Sequence, residues 1–258
     1  MDFEQVRVAL VAAGIENATQ EAQLLCEAFD GDALRVALER RIAREPLQYI
    51  LGKWWFYREE YEVDENCLVP RPDTEILVER AIARLPRDAR FLDLCTGSGC
   101  VAISTLASRS DCRAVAVDLF PRTLDLARRN AERNAVAQRV EFLQADVLMP
   151  PPVLGLFDAI LSNPPYISTE VMDTLSAEVK HEPAAALCGG EDGLDFYRAI
   201  LEKWCVLLNP DGFFLFEIGY DQASALCELA KSHGYRAEIF RDYGGNDRVA
   251  LLSRTATR

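Results

Sequence analysis

The chain has 258 residues, and 28 Lys and Arg against 41 Asp and Glu give it a formal net charge of −13. Hydrophobic residues make up 50 % and charged residues 27 %, a composition typical of folded globular proteins and not of disordered ones. Its longest apolar runs are far shorter than the roughly 20 residues that span a bilayer. The acidic N-terminus also lacks the basic start of a signal peptide, so we expect a cytoplasmic protein that uses no membrane.

Cysteine is well represented, with eight residues spread along the chain, but none of them forms a Cys-x-x-Cys pair. Because the sequence also has only two histidines, the ligand spacing of a structural zinc site is missing. We therefore expect reduced thiols and no metal site. The acidity also makes direct DNA binding unexpected, since duplex binding draws most of its affinity from Lys and Arg.

The predicted elements begin with short amphipathic helices over residues 1–48, in which Val6 and Leu10, and later Leu25, recur at helical spacing. This segment is predicted to be a separate helical domain. Its stretch 35–44 carries four arginines and gives it a basic face. A solvated helix surface is the simplest interpretation of that face, and contact with a partner is the alternative.

Residues 49–72 change character, since aromatic and β-branched residues cluster there. This composition predicts a β-hairpin that links the helical domain to a larger domain over 73–258. Two prolines then fix extended backbone, and either Asp73 or Thr74 is placed to cap a helix that begins near Glu75.

From about residue 90, apolar strands alternate with helices. The predicted strands are 89–94, 113–119, 139–146, 157–165, 212–219 and 247–254, and the predicted helices are 101–108, 121–135, 196–208 and 223–234. This alternation predicts crossover connections and an α/β fold with a mostly parallel sheet between layers of helices.

A glycine-containing turn follows the first of these strands, where Asp93 leads through Cys95 into Thr-Gly-Ser-Gly at 96–99. The turn lacks the later glycine of the pyrophosphate fingerprint, and a carboxylate is poorly placed beside an anion. It suits a cationic ligand such as S-adenosylmethionine, which carries a sulfonium and an ammonium. Asp118, some 20 residues further on, is placed for ribose hydroxyls, and Asp146 is expected to end the third strand near an adenine. One such aspartate is often only a helix cap, but three together favour an adenosyl cofactor.

The fourth strand is followed by Asn163, Pro164, Pro165 and Tyr166. Each proline removes a backbone donor and fixes φ, which leaves a rigid turn with unpaired carbonyls, and the asparagine amide adds a further acceptor. These groups suit a planar amino group with two hydrogens, and Tyr166 is placed to stack on a flat group. A loop that only ends the strand is the alternative, but ligands bind at this edge of such sheets.

Five sequence blocks, in order, resemble the HemK/PrmC family of peptide chain release factor glutamine methyltransferases. These blocks are 68–81, 91–103, 161–167, 181–194 and 241–251. The resemblance implies a class I S-adenosylmethionine-dependent methyltransferase with a Rossmann-like α/β fold, a small N-terminal helical domain and a β-hairpin between them. It also implies a monomer that methylates the side-chain amide nitrogen N5 of the glutamine in the Gly-Gly-Gln motif of class 1 release factors.

The resemblance places the substrate glutamine at Asn163, Pro164, Pro165 and Tyr166. Together with the aspartates expected at the strand ends, the resemblance places the cofactor at the following residues: Asp93, Cys95, Thr96, Gly97, Ser98, Gly99, Asp118, Asp146, Val147 and Asn163. The sequence departs from the family at Cys95, where many members have glycine, and at Val147, where many have an aromatic residue. The first departure costs little if the backbone there needs no positive φ, whereas the second could weaken packing against adenine.

Three other functions stay open at this point: glutamine methylation of a ribosomal protein, adenine-N6 methylation of DNA, and cofactor binding without catalysis. The net charge argues against DNA, and the Asn-Pro-Pro-Tyr turn argues against lost catalysis. Glu217 and Asp242 are candidate proton acceptors, although a structural role at the sheet edge is the favoured interpretation for both. The glycine-rich stretch 181–194 is expected near the pocket, with direct contact left open.

Overall fold

The computed structural model describes residues 1–255, so the end of the predicted 73–258 domain, 256–258, lies outside the described residues. Four helices open the chain: α1 (Phe3–Ala12), α2 (Ala18–Ala28), α3 (Gly31–Ile42) and α4 (Leu47–Leu51). A capping box starts α1, because the Asp2 carboxylate accepts from the Gln5 N–H while the Gln5 side chain accepts from the Asp2 N–H. All four helices contribute to one apolar cluster, which confirms the predicted N-terminal helices.

A seven-stranded sheet forms the centre of the remaining chain. Its strands are β3 (Arg90–Leu94), β4 (Arg113–Asp118), β5 (Val140–Gln144), β6 (Phe157–Ser162), β7 (Leu208–Glu217), β8 (Tyr235–Arg241) and β9 (Asp247–Arg254). Their spatial order is β5-β4-β3-β6-β7-β9-β8. The first five strands run parallel, and β9 pairs antiparallel with both β7 and β8. The predicted mostly parallel, Rossmann-like sheet is therefore confirmed.

Helices cover both faces of the sheet. They are α5 (Glu75–Arg84), α6 (Cys100–Ser108), α7 (Pro121–Arg133), α9 (Asp195–Lys203) and α10 (Ala223–Ser232), whereas the short α8 (Thr169–Met172) has no buried residue. Side chains of a strand alternate between the faces, so Phe91 joins one apolar cluster and Leu92 the other. The Phe91 cluster includes residues of α5, α6 and α7, and the Leu92 cluster includes residues of α9 and α10.

A β-hairpin, β1 (Lys53–Phe56) and β2 (Glu59–Glu62), lies within the predicted 49–72 linker. It is anchored on the helices after β3 and β4. The buried Tyr61 hydroxyl is hydrogen-bonded to Ser104 on α6 at 2.6 Å, and the Glu62 N–H donates to the Asn130 side chain on α7 at 2.7 Å. The hairpin is thus part of the packed structure beside the glycine-containing turn 96–99, whose Ser98 carbonyl also accepts from Asn130, while the division into domains stays a prediction.

The structure differs from the predicted elements at β8, which was missed. This strand lies at the sheet edge, where exposed Arg236 and Glu238 alternate with apolar residues, so it lacks the continuous apolar run by which the central strands were recognised. The helix predicted over 196–208 ends at Lys203 and continues as a 3₁₀ turn, and β7 begins at Leu208.

Neither predicted cap of α5 forms. A 3₁₀ turn, Pro72–Thr74, precedes the helix, so the backbone is already helical where the cap was expected, and Thr74 makes no capping hydrogen bond. Asp73 instead pairs with Arg248 of β9 at 3.4 Å. Within the described residues, no helix has both the length and the apolarity to cross a membrane.

Candidate active site

A cavity of about 420 Å³ opens at the carboxyl ends of β3, β4 and β6. The predicted residues that line it are Asp93, Cys95, Thr96, Gly97, Ser98, Asp118, Asp146, Val147, Asn163 and Pro165. The other three predicted residues support this wall: Gly99 begins α6 with a φ of 83°, Pro164 is buried, and Tyr166 packs against the Leu92 cluster. The cavity therefore brings the glycine-containing turn 96–99 and the Asn-Pro-Pro-Tyr turn together.

Asp93 joins β3 to the start of α6. Its Oδ2 atom accepts from the Thr96 hydroxyl at 2.5 Å and from the Ala102 N–H at 3.1 Å, which holds the glycine-containing turn against the helix. Burial raises the pKa of this carboxyl to about 7, although both hydrogen bonds oppose the shift. Ionisation of this buried carboxyl costs free energy, and a positive charge in the cavity would offset that cost. The position of Asp93 in the cavity wall therefore suits a cationic ligand.

Asp118 ends β4 and holds the same turn from the other side. Its carboxylate accepts from the Gly97 N–H at 3.0 Å and from the Phe120 N–H at 3.1 Å. Burial raises its pKa, and these backbone donors lower it. Each carboxylate oxygen can accept more than one hydrogen bond, so Asp118 can still accept from hydroxyls of a bound ligand.

Asp146 does not end a strand, contrary to the prediction. Strand β5 ends at Gln144, and the Asp146 carboxylate accepts from the Leu148 N–H at 2.8 Å in the following turn. Asp146 still lines the cavity, next to the buried Val147. The Val147 carbonyl accepts from the Trp204 indole N–H at 2.9 Å, so this turn is fixed to the helical layer below the sheet.

Cys95 has a φ of 59°, in the left-handed region. The backbone turns sharply here so that the next residue, Thr96, can donate its N–H to the Val117 carbonyl at 3.0 Å. The condition under which the departure at Cys95 would cost little is therefore not met, and a side chain with a Cβ is strained there. Burial raises the pKa of the thiol well above its usual range, so Cys95 is a neutral thiol in the cavity wall.

Asn163 follows β6 directly, and its side-chain amide is fixed by a residue that the sequence analysis did not select. The Nδ2 group donates to the Thr74 hydroxyl at 3.2 Å. Thr74 is 1 % exposed and also lines the cavity. This bond engages the donor end of the amide, which leaves Oδ1 as the acceptor that Asn163 offers to a ligand.

The glycine-rich stretch 181–194 packs directly on the Asn-Pro-Pro-Tyr turn. The Gly189 N–H donates to the Ile167 carbonyl at 2.8 Å. A Cβ on Gly193, where φ is 75°, would lie 2.2 Å from the Tyr166 carbonyl oxygen, so only glycine fits. Pro183 and Cys188 of the same stretch line the cavity, and the contact that the sequence left open is therefore present.

Glu217 ends β7, which lies between β6 and β9 and not at the sheet edge. It is 1 % exposed; its Oε1 atom accepts from the Tyr166 hydroxyl at 3.4 Å, and its Oε2 atom has no partner among the described residues. Asp242 is different, because it pairs with Arg248 at 3.1 Å and accepts from the Asn246 N–H, and these contacts lower its pKa. Asp242 is thus structural, and Glu217 lies behind the candidate site.

Comparison with known proteins identifies the family. The family model for the methyltransferase small domain matches residues 72–188. A release factor glutamine methyltransferase of Moorella thermoacetica is 42 % identical over 222 residues, which cover 84 % of this chain and 78 % of the relative. Another from Geobacter sulfurreducens is 39 % identical and covers 96 % of this chain and 93 % of the relative. The chain belongs to the release factor glutamine methyltransferase family.

Two solved structures share the fold of this family member. A methyltransferase from Pyrococcus furiosus matches with a TM-score of 0.58 at 20 % identity, over 88 % of this chain and 98 % of that one. A ribosomal protein L11 methylase from Lactobacillus delbrueckii subsp. bulgaricus matches with a TM-score of 0.53 at 20 % identity, over 72 % of this chain and 80 % of that one. Both matches concern the fold alone.

The basic stretch 35–44 is solvated only in part in this methyltransferase, since Arg35 and Arg40 are exposed whereas Arg41 and Arg44 are engaged in ion pairs. Arg41 is 5 % exposed and pairs with Glu21 of α2 at 2.6 Å and with Glu178 at 3.3 Å. Arg44 pairs with Glu178 at 2.9 Å and donates to the Ala13 carbonyl at 2.6 Å. Since both guanidinium groups hold Glu178, they fasten the N-terminal helices to the segment just before the cavity-lining stretch.

A second set of lining residues was missed by sequence analysis. The stretch before α5 contributes Leu68, Pro70, Arg71 and Thr74 to the cavity of the methyltransferase. The sequence signal was present, since two prolines fix this stretch as extended backbone. No strand or helix pattern placed it over the carboxyl ends of the sheet, however, and this placement appears only in the tertiary structure.

Proposed function

We propose that the protein transfers a methyl group from S-adenosylmethionine to the side-chain amide nitrogen N5 of the glutamine in the Gly-Gly-Gln motif of class 1 peptide chain release factors. The observation that carries this proposal is the position of Asn163. It lines the same cavity as Asp93 and Asp118, and its amide nitrogen is held by Thr74. The names of the Moorella and Geobacter relatives support the choice of substrate.

The cavity fits the proposed cofactor in both size and donor set. Its volume of about 420 Å³ lies within the usual range of small-ligand sites, and four carboxyl groups line it, those of Asp93, Asp118, Asp146 and Asp195. We assign Asp93 and the 95–99 turn to the cationic amino-acid part, Asp118 to the ribose hydroxyls, and Asp146 with Val147 to the adenine. When bound, the cofactor supplies a methyl group on a positively charged sulfur.

The residues after β6 would hold the acceptor. An amide nitrogen is a poor nucleophile because its lone pair is delocalised. Asn163 Oδ1 and the Pro164 carbonyl can each accept one N–H of the glutamine amide, which orients the lone pair and favours positive charge developing on nitrogen. Pro164 and Pro165 have no N–H of their own to compete for these acceptors. The proton can leave after methyl transfer, so a strong base need not act in the same step.

The other parts of the proposal concern the partner and the setting. We assign substrate recognition to the helical segment 1–48, with 49–72 as the hairpin linker and 73–258 as the methyltransferase domain. A monomeric state, a cytoplasmic location and the lack of direct DNA binding stay predictions from the sequence. The net charge of −13, and the ion pairs that engage Arg41 and Arg44, favour a protein acceptor over DNA.

The test is incubation with S-adenosylmethionine and purified release factor, followed by mass spectrometry of the Gly-Gly-Gln peptide. We expect a gain of one methyl group on that glutamine. A release factor with this glutamine replaced by alanine is the substrate control, and Asn163→Ala is the enzyme control; neither should give the product. Methylation of a ribosomal protein or of DNA adenine, with none on the release factor, would overturn the proposal.

A further inference from the structure

The turn that follows β5 is held by the last residue of α9 and by the residue after it. Three residues of this turn, which spans 146–149, line the cavity: Asp146, Val147 and Leu148. The Trp204 indole N–H donates to the Val147 carbonyl at 2.9 Å and to the Met149 carbonyl at 3.1 Å. The Lys203 ammonium group donates to the carbonyl between them, that of Leu148. Two adjacent residues therefore engage three successive carbonyls of the turn.

Two hydrogen bonds within the turn add to this support. The Leu148 N–H donates to the Asp146 carboxylate at 2.8 Å, and the Met149 N–H donates to the Asp146 carbonyl at 3.0 Å. The Val147 N–H donates to no other residue that the structure describes, although Val147 is only 3 % exposed. Buried backbone donors are normally paired, so this N–H is left for an acceptor atom of a ligand in the cavity.

Trp204 is 0 % exposed, belongs to the Leu92 cluster and does not itself line the cavity. A buried indole needs an acceptor in any fold, so satisfaction of its own N–H is the alternative role. Two observations favour a role in ligand binding: both acceptors belong to one turn of the cavity wall, and Lys203 engages the same turn beside them. Because the side chain of Val147 is small, its contact with a flat ligand depends on where the backbone holds it.

We propose that Trp204, together with Lys203, is a positioning residue for cofactor affinity, which keeps the 146–149 turn in the arrangement that binds the adenine. The inference rests on the proposed function, which assigns this turn to the adenine. Only the fraction of molecules whose turn has this arrangement can bind, so Kd rises as that fraction falls. The acceptor side is held by a separate contact, that of Asn163 with Thr74, so the rate at saturating cofactor should change little.

The experiment uses Trp204→Phe, which keeps a buried ring and removes the N–H. Calorimetry measures its binding of S-adenosylhomocysteine and of the analogue with hypoxanthine in place of adenine. We expect Kd for S-adenosylhomocysteine to rise about five- to tenfold, the factor that a net hydrogen bond of ordinary strength supplies. With saturating S-adenosylmethionine and release factor, kcat should stay within about twofold of the wild type.

The comparison of the two bases reports on the turn itself. Hypoxanthine carries a hydrogen on N1, where adenine has an acceptor. A Val147 N–H that is no longer held in place distinguishes the two bases less well, so the preference of the wild type for adenine should fall in Trp204→Phe. A role of Trp204 in stability alone would leave this preference unchanged.

The matched control is Tyr197→Phe, which also removes a buried donor from a backbone carbonyl. Tyr197 lies on α9 in the same apolar cluster, is 0 % exposed, and donates its hydroxyl to the Glu217 carbonyl at 2.7 Å. Because this carbonyl is not part of the 146–149 turn, Tyr197→Phe should leave Kd within about twofold of the wild type. If Trp204→Phe fails to fold, Lys203→Met, which frees the Leu148 carbonyl, carries the same prediction of a raised Kd at an unchanged kcat.

Three results would overturn the inference: an unchanged Kd or an unchanged preference for adenine in Trp204→Phe, an equal rise of Kd in Tyr197→Phe, or a fall of kcat without a change of Kd. Tight binding of S-adenosylhomocysteine by the wild type and by Trp204→Phe alike would refute this inference and leave the proposed function standing. A wild type that binds neither ligand would refute the proposed cofactor, and this inference with it.

Discussion

Replacement of Cys95 gives a direct test of the strained cofactor turn. Cys95 has a φ of 59°, where a residue with a Cβ costs roughly 1–2 kcal/mol relative to glycine. Glycine also gains about 0.4–1 kcal/mol of conformational entropy in the unfolded chain, which opposes its stabilising effect. The difference predicts that Cys95→Gly is more stable than Cys95→Ala by about 0.5–1 kcal/mol.

The comparison uses alanine as the reference, because both variants remove the thiol and its contacts and differ only in the Cβ. The assay is urea unfolding of the two variants, with the free energies compared at equal m-values. At an ordinary position glycine is the less stable of the two by about 0.5–1 kcal/mol, so the sign of the difference decides. A Cys95→Gly variant less stable than Cys95→Ala would show that the turn is not strained as described.

Three further predictions concern the ion pairs, the acceptor and the cofactor acid. Arg41→Met leaves Glu21 and Glu178 without their buried partner and should lower the free energy of unfolding by about 2–3 kcal/mol. Arg35→Met, at an exposed ion pair, is the control and should lower it by less than about 0.5 kcal/mol. Equal losses of the two variants in urea unfolding would contradict this prediction. Asn163→Ala should lower kcat at least about 100-fold while cofactor Kd, from calorimetry, changes only a few-fold, and a parallel loss of both would make Asn163 a cofactor ligand. The pKa of Asp93 is raised from 3.8 to about 7 in the folded protein, so the folded state binds this proton more tightly, and cofactor-free stability falls as the pH rises between these values. Asp93→Asn should weaken that fall in melting temperature between about pH 5 and about pH 8, and an unchanged fall would refute the assignment.

The sequence predicted those parts of the fold that depend on local pattern. The parallel strands from β3 to β7 are strongly apolar and were recognised, whereas β8 was missed because charged residues interrupt its exposed edge. The predicted end of β5 was also wrong, because a turn begins earlier than the sequence pattern indicated. Asp146 was predicted to end this strand but lies two residues beyond it. Such shifts of a few residues follow from local turn geometry, which apolar periodicity does not report.

The candidate site was predictable only in part, for a related reason. Asp93, Asp118 and Asn163 were found because each stands at or next to the carboxyl end of a strand, where the fold itself brings them together. Thr74 was missed because it reaches Asn163 from a turn that lies 89 positions earlier in the chain, and it belongs to no motif that marks it as part of the site. The arginines of α3 show the same limit, since the Arg41 pair with Glu178 joins residues 137 positions apart.

The two carboxyl groups with the strongest burial effects occupy different positions relative to the cavity, and this difference separates their expected responses to a cationic ligand. Burial raises the pKa of both Asp93 and Glu217 to about 7. Asp93 lines the cavity, so a cationic ligand can offset the cost of its charge, and ionisation of Asp93 is linked to cofactor binding. Glu217 lies behind Thr74 and Asn163, with Arg248 as the cation near it, so a ligand in the cavity has less influence on its charge. Protonation of Asp93 should therefore weaken binding of the proposed cofactor, whereas a ligand in the cavity should change the pKa of Glu217 much less.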